Sequence, residues 1–183
     1  RLVDEHLDAV AAAGRMDVIA DLAFPLPFTV ISEMLGMPDA DRDQLRDWSH
    51  AIVKLLDPVI TEEEITEALE SSDAMTDHVD AVIRWKRDHP ADDLLTALIR
   101  AEEDGDRLTP EELRDQVVLL FIAGHETTVN LIGNGTLALL RHPDQWARLR
   151  DDPALDANAV DELLRYDSPV QFSRRITVAP LEV

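Results

Sequence analysis

Cysteine is absent from all 183 residues. No disulfide frame, thiolate nucleophile or cysteine metal site can be drawn from this chain. Aromatic residues are scarce, at 4%. Basic residues are few: 17 Lys and Arg stand against 38 Asp and Glu, a formal net charge of −21. Such an acidic surface repels nucleic acid and anionic membrane, so neither is expected as a partner. No uninterrupted apolar run reaches membrane-spanning length, and no secretory leader is visible at Arg1, so a cytoplasmic location is expected. Repeats and low-complexity tracts are missing too. Apolar residues make up a globular 45%, and a chain of this length can bury about 70% of its unfolded surface. It starts without methionine in what reads as mid-helix and stops at Val183 in what reads as mid-strand. The expectation is one partial domain over 1–183, truncated at both ends.

The dominant stretch runs from 109 to 141. Thr109 suits an N-cap, Pro110 the first helical position, and Glu112 closes a capping box with Thr109. No further proline comes before Pro143, so the helix should run from 110 to 141, roughly 48 Å at 1.5 Å per residue. Residues 117–123 (Val-Val-Leu-Leu-Phe-Ile-Ala) are apolar on every side, which predicts burial all round. Gly124-His125-Glu126-Thr127-Thr128 then breaks the pattern. Glycine costs about 1 kcal/mol against alanine in a helix interior. A buried carboxylate needs a partner, water or a ligand. Gly124 permits close approach of something flat or bulky, and the two threonines can bond back to carbonyls of the preceding turn.

The rest reads as mainly α with a few short strands. Helices are expected over 1–13, 28–35, from Asp39 to about 57, from 61 or 64 to 88, over 92–103, from 142 to 150 and over 157–166. Strands are expected at 16–19 and over 170–183. The acidic runs 62–64 and 102–104 read as solvated faces. Glu162 and Arg165 are helical i,i+3 neighbours and can pair, and Arg174 or Arg175 could clamp a carboxylate.

Taken together these features resemble the cytochromes P-450, the haem-thiolate monooxygenases, in their soluble bacterial class. Ala123-Gly124-His125-Glu126-Thr127-Thr128 matches the family's oxygen-activation signature on its long central helix. Glu162-x-x-Arg165 matches the family's later helix, and Asp167-Ser168-Pro169-Val170 matches the segment after that helix. The 36 positions from Glu126 to Glu162 agree as well. So do residues 16–27 and Met34-Leu35-Gly36-Met37-Pro38. The resemblance spans essentially the whole chain.

It implies a partial cytochrome P-450 fold and a set of roles. Glu126 and Thr127 occupy the acid–alcohol positions that deliver water and protons during O–O cleavage. Ala123, Gly124 and Thr128 should lie against haem b (iron protoporphyrin IX) and the oxygen site. Arg175 best matches the arginine that binds a haem propionate, with Arg174 as fallback. Val170 and Phe172 would line the substrate pocket, and 58–64 resembles the lid connector. Glu162 and Arg165 would be structural. The implied partners are a small apolar organic substrate, O2 and a ferredoxin or flavoprotein electron donor.

The departure is the axial thiolate, which the family carries downstream of the Glu-x-x-Arg helix. This chain supplies no metal ligand of that kind, so it is expected to carry the distal half of the site and, alone, to form no native haem-thiolate centre. His125 is a nominal substitute ligand. Two other readings compete. His125-Glu126 starts a His-Glu-x-x-His zinc motif, but position 129 is valine and the ligand count fails. A non-catalytic helical interaction domain, or an inactive fragment of the same fold, would explain the missing cysteine but not a polar notch in an apolar helix.

Overall fold

The structure is a computed structural model that describes residues 1–38, 42–103, 108–173 and 177–179, without the side chains of Arg42 and Glu103. Eight α-helices are described: α1 (Leu2–Ala11), α2 (Pro25–Leu35), α3 (Arg42–Val53), α4 (Glu62–Asp88), α5 (Leu94–Glu103), α6 (Pro110–Arg141), α7 (Pro143–Asp151) and α8 (Asp156–Tyr166). Among the described residues there is no strand.

The helix ends follow local chemistry. Thr61 opens α4 with a reciprocal box: Glu64 N–H donates to Thr61 Oγ1 at 3.2 Å and Thr61 N–H to Glu64 Oε2 at 2.9 Å. Thr109 and Glu112 repeat the device at α6, at 3.2 and 2.8 Å. Pro25 sits in the first turn of α2, where its missing N–H is no loss. Gly36 closes that helix at φ +63°, a left-handed conformation suited to glycine.

The strand expected at 16–19 is replaced by a helical start. Asp17 Oδ1 accepts from the N–H groups of Ile19 and Ala20 at 3.0 and 3.1 Å. Its own N–H donates to Asp21 Oδ2 at 2.8 Å. Those bonds nucleate a turn, and Ile19–Ala23 continues as a π-helix. The strand expected over 170–183 is not formed in its described residues, 170–173 and 177–179. Ser168 bonds Val170 through its side chain, and a strand needs a neighbouring strand to be stable. The helix start expected at Asp39 lies outside the described residues.

Two compact units are present, Arg1–Val129 and Asn130–Val183. In the first, Phe28, Ile31 and Leu35 of α2 meet Met75, Val79 and Val82 of α4, Leu95 and Ile99 of α5, and Leu113, Val117 and Phe121 of α6. A buried ion pair staples this core. Lys86 and Asp93, 3% and 8% exposed, are in contact, and Lys86 Nζ donates to the Gly36 carbonyl at 3.0 Å. A Cβ at Gly36 would collide with both side chains. Burial pushes the Asp93 carboxyl up, but bonds from Lys86 and Thr96 outweigh it and hold it below its ordinary value. In the second unit, Leu163 of α8 packs on Gly135, whose added Cβ would lie 3.0 Å from Leu163 Cδ1. A cavity of ≈ 310 Å³ opens there among Ala138, Leu139, His142, Leu149, Leu155 and Tyr166.

Helix α6 has the predicted bounds, 32 residues from Pro110 to Arg141. It is not buried all round. Its buried residues are Leu113, Val117, Phe121, His125 and Val129, at four-residue spacing, while Leu119 is 58% exposed. An apolar run only makes burial favourable; the packed helices cover one stripe of it. An 18-residue window of α6 also reaches a mean hydropathy of 1.2, enough by length and composition to cross a membrane. That amends the expectation drawn from uninterrupted runs.

Candidate functional site

The notch sits where the two faces of α6 diverge. His125 falls on the buried stripe, 0% exposed. Its ring lies edge-on to Phe24 at 4.9 Å and to Phe28 at 5.6 Å, with Phe121 at 6.2 Å. Neither ring nitrogen has a hydrogen-bond partner. Burial pushes its proton affinity down, and the nearby Glu126 carboxylate offsets that in part.

Away from that stripe, Leu119, Ala123 and Thr127 follow one another at the same four-residue spacing. Leu119 and Ala123 are exposed and Thr127 is half-buried. Thr127 Oγ1 donates to the Ala123 carbonyl at 2.8 Å, and Thr128 Oγ1 to the Gly124 carbonyl at 3.1 Å. Both threonines thus make the back-bonds expected from sequence, which engage carbonyls the helix ladder also uses. The close approach permitted by Gly124 is made by Ile31 of α2: an added Cβ would lie 3.3 Å from its Cδ1.

Glu126 is only 14% exposed by side chain, and imidazoles flank it. Its Oε1 lies 3.4 Å from His50 Nδ1 of α3, and its Oε2 3.9 Å from His125 Nδ1. Sequence reasoning missed His50 altogether, because 76 positions separate it from Glu126. It also missed the burial of His125, although the ladder Leu113, Val117, Phe121 points straight to it.

The other expected residues stand apart in kind. Glu162 and Arg165 pair bidentately, both bonds at 2.7 Å, with side chains 56% and 69% exposed. The Arg165 bond lowers the Glu162 carboxyl and Glu162 raises the guanidinium. Val170 and Phe172 belong to the second unit and are 49% and 46% exposed. Arg174 and Arg175 lie outside the described residues. In the connector resembling a lid, Val59 is 87% exposed.

The open stripe of α6 fits one side of a planar apolar macrocycle. Ala123 offers no bulk beyond a methyl group, Leu119 extends the apolar surface, and Glu126 and Thr127 bring polar groups to its edge. The axial side is not supplied: the chain has no cysteine, and no cluster of three or more metal-ligating side chains occurs among the described residues. His125 cannot serve, because its ring is fully buried, packed among Phe24, Phe28 and Phe121.

Known proteins match the chain over almost all of its length. The family model described as Cytochrome P450 matches residues 5–183. Cytochrome P450 107B1 of Saccharopolyspora erythraea is 48% identical over 170 residues, covering 93% of this chain and 40% of that protein. The cytochrome P450 monooxygenase PikC of Streptomyces venezuelae is 46% identical over 186 residues, covering 100% of this chain and 43% of that protein. A crystal structure of P450BioI in complex with a fatty-acid-ligated acyl carrier protein superposes with a TM-score of 0.85 at 40% identity, covering 92% of this chain and 44% of that one. The chain thus spans less than half the length of these relatives.

Proposed function

Because the chain belongs to the cytochrome P450 family, we propose that the whole protein is a haem-dependent monooxygenase and that this chain builds the distal wall of its site. When bound, haem b supplies the redox chemistry that cleaves O2 and places one oxygen atom in a C–H or C=C bond of the substrate. What the chain itself does is bind, orient and move protons.

Leu119 and Ala123 would hold the flat side of the macrocycle, and Gly124 and Thr128 would lie against it as well. Arg175 would bind a propionate, on the strength of the sequence match. Glu126 is the acid that takes up and passes on protons. Thr127 orients the final donor or water: its hydroxyl donates to the Ala123 carbonyl and keeps its lone pairs for a hydrogen bond beside Ala123. A donor chain of this kind delivers protons without flooding an apolar site with water. Val170 and Phe172 would touch a small apolar substrate, while Glu162 and Arg165 hold structure. A ferredoxin or flavoprotein would provide electrons. A cytoplasmic location and a single partial domain over 1–183 go with this reading.

The observation that carries the proposal is the Thr127–Ala123 back-bond beside the largely sheltered Glu126, on an otherwise open apolar stripe. The test is Thr127→Ala in the full reading frame that carries this chain. Haem content should be unchanged, and electrons should be diverted from product to peroxide or water. Wild-type product per electron would refute the role given to Thr127.

A further inference from the structure

Glu126, at 14% side-chain exposure, meets the surface mainly through its neighbours. We propose that His50 of α3 is its proton-loading residue, a relay between bulk water and Glu126. This rests on the role given to Glu126 and Thr127 above.

The geometry is specific. His50 is 66% exposed by side chain, and its Nδ1 lies 3.4 Å from Glu126 Oε1. An imidazole can take a proton on one ring nitrogen and give one from the other, which suits it to a proton shuttle. With Nδ1 committed to the carboxylate, Nε2 is the nitrogen left for water. A proton taken up at Nε2 makes an imidazolium. Its Nδ1–H then passes to Glu126 Oε1, leaving a neutral imidazole and a neutral carboxylic acid. The neutral ring is then the Nε2–H tautomer, and exchange with water, which removes the Nε2 proton and supplies one to Nδ1, restores the starting form. Each cycle moves one proton and leaves His50 as it began.

Neighbouring charges are engaged elsewhere. On α3, Arg46 bonds Asp47 at 2.8 Å and Asp43 at 3.3 Å. Lys54, in the turn after α3, lies 3.5 Å from Glu67 of α4. His125 of α6 also lies beside Glu126, at 3.9 Å. Its burial disfavours the imidazolium, so a proton on Glu126 is not drained into the phenylalanine pocket. A stability role for the His50 pair is small by comparison, since exposed pairs contribute about 0–1 kcal/mol.

The test uses the full reading frame, haem-loaded, with His50→Gln and Thr127→Ala in parallel. Glutamine keeps a hydrogen-bond donor for Glu126 but cannot take up a proton. His50→Gln should slow coupled product formation about tenfold, less than the roughly 10²- to 10⁴-fold of a group at the reacting atoms because water can substitute. Its pH profile should flatten across the imidazole range, with haem content and substrate affinity unchanged. Independently of turnover, NMR of 15N-labelled histidine at alkaline pH should show His50 as the Nδ1–H tautomer, lost in Glu126→Gln. A wild-type rate and pH profile in His50→Gln overturns the relay, as does a tautomer indifferent to Glu126→Gln. If Thr127→Ala is uncoupled while His50→Gln behaves as wild type, the relay falls and the function above stands. Wild-type behaviour in both variants sinks both.

Discussion

Replacing His125 by phenylalanine should stabilise the protein, and more so in acid. The imidazole is 0% exposed with both nitrogens unpartnered. Leaving a buried polar group unsatisfied costs about 1–3 kcal/mol. A phenylalanine ring keeps the edge-on geometry to Phe24 and Phe28, at 87° and 90°, and removes that cost. The slightly larger ring takes back part of the gain through overpacking, so the net should be about 1–2 kcal/mol near pH 8. For a chain of this size that raises Tm by about 2–8 °C. The pH dependence comes from the lowered proton affinity of the folded imidazole. Below about pH 6.5 the unfolded histidine binds a proton that the folded one refuses. Wild-type stability therefore drops as pH falls through that range, by at most about 1.4 kcal/mol per pH unit from this group. His125→Phe lacks that loss, so its advantage should widen between pH 8 and pH 5.5. Urea unfolding followed by circular dichroism at both pH values measures this. A variant less stable than wild type, or an advantage that does not change with pH, would show that His125 has a partner and is not an orphaned buried base.

Lys86→Ala should leave Asp93 as an unpaired buried charge and cost about 3–5 kcal/mol, a fall in Tm of about 6–20 °C. Asp93 itself is held low in the fold, so its contribution is present above the ordinary carboxylate range and lost as pH falls through its lowered value. Acid unfolding of the Lys86 variant should accordingly be less steep than that of wild type.

Much of the fold can be read locally. Thr61 with Glu64 and Thr109 with Glu112 place the starts of α4 and α6 within a few residues of sequence, and Gly36 places the end of α2. The composition of Gly124-His125-Glu126-Thr127-Thr128 likewise marks the notch, and the threonine back-bonds involve only the preceding turn. Two things were not legible for a common reason, namely that they depend on which helix lies alongside. Residues 117–123 look alike all round in sequence, yet α2 and its neighbours cover only the stripe through Val117 and Phe121. His50 gives no hint in sequence that α3 carries it to Glu126. The misread strand at 16–19 has a different origin: apolar Val18 and Ile19 suggested extension, but the Asp17 carboxylate captures two backbone N–H groups and starts a helical turn.

Haem occupancy of an Ala123 variant tests most directly whether the open stripe of α6 faces the cofactor. In the full reading frame, Ala123→Phe should abolish the reduced carbon-monoxide difference spectrum while the protein stays helical. Leu69→Phe, an equally bulky change at a 55% exposed position on α4, should leave the spectrum intact. An undiminished spectrum in Ala123→Phe would mean that the stripe faces something other than the haem.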